Sequence, residues 1–288
     1  MPELPEVETI ARDLHPRLAG RRISAARASG LLRCVPAGAK LESFPKCLVN
    51  RTVRSVGRRG KYLLLALDDG RELMVHLGMT GRLVLEPASK PTDKHMHLEL
   101  GFAGLAGLLR FVDARRFGRV SLGTREELER SCGLGGLGIE PLESSAREIA
   151  AAIRARSKRL KALLLEQGAV AGAGNIYADE ALFRARLHPE RVASGLSEAE
   201  ALALARHLQA VLREAIRRRG SSVDDYVDGS GVPGSFQKYH RVYGREGLPC
   251  RNCGTKIVRL QIAGRSTHIC PKCQRMPKSG AGRSRSRP

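Results

Sequence analysis

Between residues 5 and 18 the apolar side chains Val7, Ile10, Leu14 and Leu18 recur at close to helical spacing, which predicts a short amphipathic helix directly after the first four residues. Pro16 carries no amide for a continuing helix, so the helix is expected to end or kink near Leu14. From about residue 50 to 122 the period changes. The runs RTVRSVG, KYLLLALDDG, ELMVHLG, GRLVLE, HLELGF, GLLRFVD and GRVSLG are strand-like and are punctuated by Asp-Gly and Gly turns. This reads as an antiparallel sandwich or barrel. The glycine-rich stretch CGLGGLGIEPLE then separates the strands from a helical half, and is read as a hinge. In that half, Ser145 with Glu148 and Ser197 with Glu200 have the spacing of capping boxes, and Gly168 and Gly220 fall where helix C-caps belong. Leu204, Leu208, Val211 and Ala215 form an apolar stripe on the last helix, which is read as core. No internal repeat is present.

Length and charge narrow the class. A chain of 288 residues is expected to form two lobes plus a small module. Fifty Lys and Arg against 29 Asp and Glu give a formal net charge of +21, spread along the whole chain, which points to a polyanionic partner. Charge alone leaves a ribosome-associated basic protein open. No run approaches the roughly 18 apolar residues of a membrane span, and MPELPEVETI lacks the pattern of a signal peptide. The expectation is a soluble protein of the cytoplasm with no membrane partner. Of the seven cysteines, four lie in two tight pairs, which favours a metal site over a disulfide framework. Cys34, Cys47 and Cys132 are expected to be reduced thiols.

The most specific local pattern is Cys250, Cys253, Cys270 and Cys273: C-x2-C, sixteen intervening residues, then C-x2-C. Each pair offers two thiolates from one turn, and four thiolates suit a closed tetrahedral zinc site with no open position for a catalytic water. Arg259 and Arg265 lie between the pairs, where a ribbon could present them to phosphates. The N-terminal segment Pro2, Glu3, Leu4, Pro5, Glu6 reads by itself as a helix start, with Pro5 at an early helical position. Removal of Met1 would make Pro2 a secondary amine with a pKa near the ~8 of an α-amino group. Such an amine can form an iminium with a sugar carbon while Glu3 moves protons. In GRRGKYLLL, Lys61 opens an apolar strand after a basic turn, as an edge charge, a phosphate ligand or a proton-transfer group. HLGMTG and FVDARRFG place Met79, Arg115 and Phe117 in loops between strands, with Met79 and Phe117 as core residues or, beside the arginine, as wedges for an unstacked base step. GAGNIYADEALF brings a glycine-rich turn to Asn175 at a helix start, a geometry suited to phosphate.

Taken together, MPELPEVET, GRRGKYLLL, HLGMTGRL, DARRFG, GAGNIYADEALF, VYGREGLPCRNCGT and GRSTHICPKCQR resemble, in order and across almost the whole chain, the formamidopyrimidine-DNA glycosylase family, which includes the endonuclease VIII-like enzymes. The resemblance implies an α+β fold with these parts: an antiparallel β-sandwich catalytic domain with an N-terminal helix over 1–131, a hinge over 132–144, a helix-two-turn-helix domain with a lesion-contacting loop over 145–244, a zinc finger over 245–276 and a basic disordered tail over 277–288. It implies a monomeric, bifunctional DNA glycosylase and AP lyase of base excision repair. The enzyme would act on 8-oxoguanine and formamidopyrimidines in duplex DNA and on abasic sites, bind one structural zinc, and associate with the bacterial nucleoid while bound.

By the same resemblance, Pro2 is the Schiff-base nucleophile, Glu3 the acid and base that opens the sugar, and Glu6 an assistant nearby. Lys61 matches the lysine of β-elimination and Arg265 the finger arginine of δ-elimination. Asn175 matches a phosphate ligand, and His95, Arg115 and Arg156 sit where the family contacts DNA. Met79, Arg115 and Phe117 match the trio that replaces an everted base. Leu4 favours the oxidised-purine branch. Ala114 and the RGSS of the lesion-contacting segment depart from the frequent DPRRFG and GGST. An endonuclease VIII-like enzyme for oxidised pyrimidines and a noncatalytic zinc-finger binder of damaged DNA are the alternatives.

Overall fold

The computed structural model describes residues 1–29 and 44–277. Cys34 and the basic tail beyond residue 277 lie outside the described residues. Helix α1 (Leu4–Leu18) opens with Pro5 in its first turn and a capping box in which Glu3 and Glu6 bind each other's backbone amides. The helix does not stop at Leu14. Pro16 sits inside its last turn, and Leu14 and Leu18 are both fully buried. At the end of a helix a proline forfeits one hydrogen bond, and full burial of a leucine, about 1.5–3 kcal/mol, offsets that loss.

Eight strands form two four-stranded antiparallel sheets. One has the order β1 (Ile23–Ala28), β6 (Met96–Phe102), β7 (Gly107–Val112), β5 (Arg82–Pro87). The other has the order β2 (Val53–Arg59), β3 (Tyr62–Leu67), β4 (Arg71–His76), β8 (Arg119–Thr124). Strand β1 escapes the sequence pattern because its burial is shallow: only Ile23 of its six residues is fully buried. Between the sheets, Leu63, Leu65, Val75, Leu100, Phe111 and Val120 form one core, to which α1 adds Val7, Ile10, Leu14 and Leu18. The outer face of the second sheet is covered as well. There Leu64 and Met74 pack with Leu128 of α3 (Arg125–Ser131) and with Leu134, so β3 is buried on both faces and reads as a continuous apolar run rather than an alternation. A short α2 (Phe44–Leu48) precedes β2.

The helical half comprises α4 (Ala146–Arg154), α5 (Leu160–Leu165), α6 (Asn175–Arg184) and α7 (Glu198–Arg217). Capping boxes start α4 at Ser145 and α7 at Ser197, as their spacing predicts, and another at Thr124 starts α3. The stripe of Leu204, Leu208, Val211 and Ala215 is fully buried. Gly168 is not a left-handed cap, and α5 stops three residues before it at Leu165. Gly220 does fall in the closure of α7: it is left-handed (φ 80°) after a left-handed Arg219 (φ 62°), and the Gly220 and Arg219 amides bond back to the Ala215 and Ile216 carbonyls. That is a Schellman closure with arginine where glycine is usual. Its side chain is held by Asp13 and Asp228 at 2.6 and 2.8 Å. Within the glycine-rich linker, Glu140 is clamped by Arg58, Arg59 and the Gly60 amide at 2.8–3.1 Å. Strands β9 (Val258–Ile262) and β10 (Arg265–Ile269) form the finger hairpin. No helix among the described residues is long and apolar enough to cross a membrane.

Candidate active site and zinc centre

Helix α1 joins the two halves. Leu4 belongs to the helical core, whereas Val7 and the residues after it belong to the sandwich core. The first three residues are thereby pinned at the seam, where a cavity of about 320 Å³ is lined by Pro2, Glu3, Lys61, Met79, Asn175, Ser221, Asp224, Tyr226, Tyr243 and Arg265. Residues from seven separated segments meet there.

Glu3 is 2% exposed, and its carboxylate sits on the N-terminus of α6. It accepts the amides of Gly174 (2.8 Å), Ile176 (2.9 Å) and Tyr177 (3.4 Å), where the positive end of the helix favours an anion. This approach needs glycine at 174, because a Cβ there would lie 2.5 Å from the Glu3 Cδ. The phosphate cradle expected from GAGNIY is therefore already occupied by the protein's own carboxylate. Asn175 donates its side-chain amide to the Ser266 carbonyl at 2.9 Å, and its Oδ1 is buried without a partner.

Behind Glu3 lies Glu6. Its carboxylate accepts the Glu3 amide (2.8 Å), the Ser221 amide (2.8 Å) and the Tyr177 hydroxyl (2.5 Å). Burial, followed by the nearby Glu3 charge, raises its pKa to about 7. Tyr177 and Ser221 are members of the site that sequence reasoning passed over; each sits within a quoted motif, but only the fold aims them at Glu6. Burial also lowers the pKa of Lys61, which is 6% exposed, although Glu3 and Glu6 pull the other way. Beside it, His76 is pushed down to about 4, by burial and then by Lys61 and Arg119. Pro2 is buried under Met1, whose amine lies 3.9 Å from the Asp224 carboxylate.

Met79, Arg115 and Phe117 are not core. Met79 is 38% and Phe117 52% exposed, and the Arg115 guanidinium stacks on the Phe117 ring at 4.9 Å. Asp113 organises both loops by accepting the Thr80 hydroxyl (2.6 Å) and the Gly118 amide (2.7 Å). His95 adjoins this loop, since its carbonyl accepts the Asp113 amide at 3.0 Å. Arg156 is exposed in the turn between α4 and α5, outside the cavity.

The four cysteine Sγ atoms lie within 4.8 Å of one another, with pairs at 3.4, 3.5 and 4.0 Å. Zn–S bonds of about 2.3 Å in a tetrahedron require S···S edges of about 3.8 Å, so the thiols fit one zinc ion with all four positions filled. Amides of Asn252 and Cys273 point at sulfur from 3.4 Å, as they do where thiolates bind metal. The ion's contribution is structural: it closes the loops that carry the hairpin. Cys47 and Cys132 are unbridged thiols.

Comparison with known proteins matches the formamidopyrimidine-DNA glycosylase N-terminal domain at residues 1–120, the H2TH domain of the same enzymes at 137–227, and the zinc finger found in FPG and IleRS at 247–275. The chain belongs to the formamidopyrimidine-DNA glycosylase family. It is 44% identical over 278 residues to the formamidopyrimidine-DNA glycosylase of Pelotomaculum thermopropionicum, covering 96% of this chain and all of the relative. The Heliobacterium modesticaldum enzyme is 47% identical over 282 residues, with the same coverage. Among solved structures, a Lactococcus lactis FPG variant bound to DNA containing Fapy-dG superposes with a TM-score of 0.85 at 35% identity, over 96% of this chain and 100% of that one. MutM (FPG) of Thermus thermophilus gives 0.83 at 43% identity, over 95% and 98%. The α+β architecture and the finger thus agree with the resemblance read from the motifs.

Proposed function

We propose that this formamidopyrimidine-DNA glycosylase family member excises oxidised purines from duplex DNA and then cleaves the strand at the resulting abasic site, with Pro2 as nucleophile. It works as a monomer on damaged duplex DNA and sits on the nucleoid while engaged. The observation that carries this reading is the convergence of Pro2, Glu3 and Lys61 on one cavity at the seam between the lobes. We take the catalytic β-sandwich domain as 1–131, the hinge as 132–144, the helix-two-turn-helix domain as 145–244 and the finger as 245–276.

A base inside a duplex must leave the stack before an amine can reach its sugar, at a cost of a few kcal/mol. Met79, Phe117 and Arg115 fill the gap left behind, and His95, Asn175 and Arg156 hold the phosphates. The Pro2 amine, freed by loss of Met1, forms a bond to C1′ as the C1′–N bond to the base breaks, and the base leaves with a proton. Glu3 moves the protons that open the sugar, held in place by the α6 amides. The iminium makes the C2′ proton acidic; its removal expels the 3′ phosphate, and a second elimination expels the 5′ phosphate. Lys61, with its pKa lowered by burial, exchanges protons in the first elimination, and Arg265 serves the second. Glu6 holds Glu3 and Ser221 in register. Zinc, bound by Cys250, Cys253, Cys270 and Cys273, supplies no step.

The test is borohydride trapping on a duplex containing 8-oxoguanine. A reduced adduct that requires both the lesion and Pro2, and disappears in Pro2→Gly, is the expected result. Tight binding without an adduct, with Met1 shown by mass to be absent, would sink the catalytic reading and leave a binder of damaged DNA.

A further inference from the structure

Among the described residues neither strand of the finger hairpin pairs with a third, so each has an open outer edge. Strand β10 pairs with β9 on one side only, and alternate residues of a strand turn their amide and carbonyl to the same edge. On that open edge, the Ser266 carbonyl is bound by the Asn175 side chain at 2.9 Å and the His268 amide by the Asp179 carboxylate at 2.8 Å. The match is geometric. Four residues along a helix rise about 6 Å, and two residues along a strand span about 6.6 Å, so positions 175 and 179 of α6 meet positions 266 and 268 of β10. The helix stands where a third strand would.

Asp179 is more than a backbone acceptor. Its other oxygen lies 2.6 Å from the Lys161 Nζ, both side chains being fully buried, and the same Nζ reaches the Asn175 carbonyl at 3.0 Å. The His268 ring approaches Asp179 at 3.4 Å and packs edge-on against Tyr243, which lines the cavity. Arg265 is three residues before His268 on the same strand, and it lines the cavity with β10 held in this place. The cysteines fasten the far end of the strand, starting at Cys270, one residue past its end.

We propose that Asp179 is the positioning residue for Arg265, fixing β10 against α6 by capturing its open edge. The proposal rests on the reading above in which Arg265 serves δ-elimination, and the controls separate the two.

Asp179→Ala alone would strand a buried lysine, so the comparison uses zinc-loaded K161M/D179A and K161M/D179N. The asparagine keeps a carbonyl for the His268 amide, whereas the alanine does not. On an abasic duplex, K161M/D179A is expected to show about a tenfold fall in the ratio of β,δ-product to β-product, with one zinc per chain, while K161M/D179N stays within about twofold of the parent. A parental ratio in folded, zinc-bound K161M/D179A overturns the proposal. Arg265→Ala in the parent tests the underlying reading: an unchanged ratio there refutes the role of Arg265 without touching the edge capture. Hydrogen exchange of the unmodified protein decides the capture itself, even where the variants do not fold. The outward-facing His268 amide is expected to exchange about a hundredfold or more slower than an open-edge amide; exchange at the open-edge rate overturns the proposal.

Discussion

Replacing Gly174 by alanine tests whether the α6 terminus holds the Glu3 carboxylate for the proposed reaction. The new Cβ would lie 2.5 Å from the Glu3 Cδ and 2.7 Å from its Oε1. Unstrained carbon contacts begin near 3.5 Å, so Glu3 must withdraw by about 1 Å. That displacement breaks the bonds at 2.8 and 2.9 Å; the one at 3.4 Å contributes little. A hydrogen bond to a charged acceptor is worth about 1.5–3 kcal/mol, and two that share one carboxylate are not additive, so the loss is about 2–4 kcal/mol. If that energy places Glu3 for reaction, it corresponds to about a thirtyfold to a thousandfold fall in rate. The assay is single-turnover excision from an 8-oxoguanine duplex with enzyme in excess, beside trapping at a preformed abasic site. The open aldehyde needs no departing base, so trapping is expected to suffer less than excision. Excision within about threefold of the parent, with melting unchanged, would refute the claim that this hydrogen-bonded geometry matters.

Two further outcomes follow from buried chemistry. Glu6 carries a pKa raised to about 7, by burial and then by Glu3. A raised folded-state pKa contributes stability that is full below the unfolded value near 4.5 and is lost as pH rises through about 7. The stability difference between parent and Glu6→Gln, measured by denaturant unfolding at a series of pH values, is therefore expected to drift by about 3 kcal/mol across that window and to level off above it; a difference flat in pH contradicts the assignment. Removing zinc with a chelator is expected to release the hairpin and to lower the ratio of β,δ-product to β-product, while the buried helices α6 and α7 keep their circular dichroism signal. A parental ratio from verified metal-free protein would show that Arg265 is placed without the metal.

The sequence exposed most of the architecture because its strongest elements are strongly periodic. The strand runs after residue 50, the Ser145 and Ser197 capping boxes and the α7 stripe all carry local signals. What stayed hidden depends on tertiary partners. Strand β1 buries too little to alternate, and α1 passes through Pro16 because Leu18 is buried beneath it. The same division holds in the site. The four cysteines are legible from spacing alone, whereas for Met79 and Phe117 the sequence leaves core and wedge open, and their exposure removes the core reading. The occupant of the α6 terminus was hidden for a related reason: a helix N-terminus announces affinity for an anion without saying which one, and here Glu3, 171 residues earlier in the chain, takes the Gly174 and Ile176 amides.

That long-range capture also ties catalysis to assembly. Leu4 packs in the helical core and Val7 in the sandwich core, one turn apart on the same helix. Glu3 immediately precedes that turn and reaches the amides of α6, while Glu6 within it reaches Ser221 in the segment that follows α7. Lys61 comes from the other side of the seam, at the start of β3. Neither lobe alone brings Pro2, Glu3 and Lys61 to one cavity. On the proposed function, a change that loosens the docking of α1 between the two cores is therefore expected to remove the reaction before it removes the fold, and the same is expected of a change that breaks the clamp of Arg58 and Arg59 on Glu140, which holds the linker to β2.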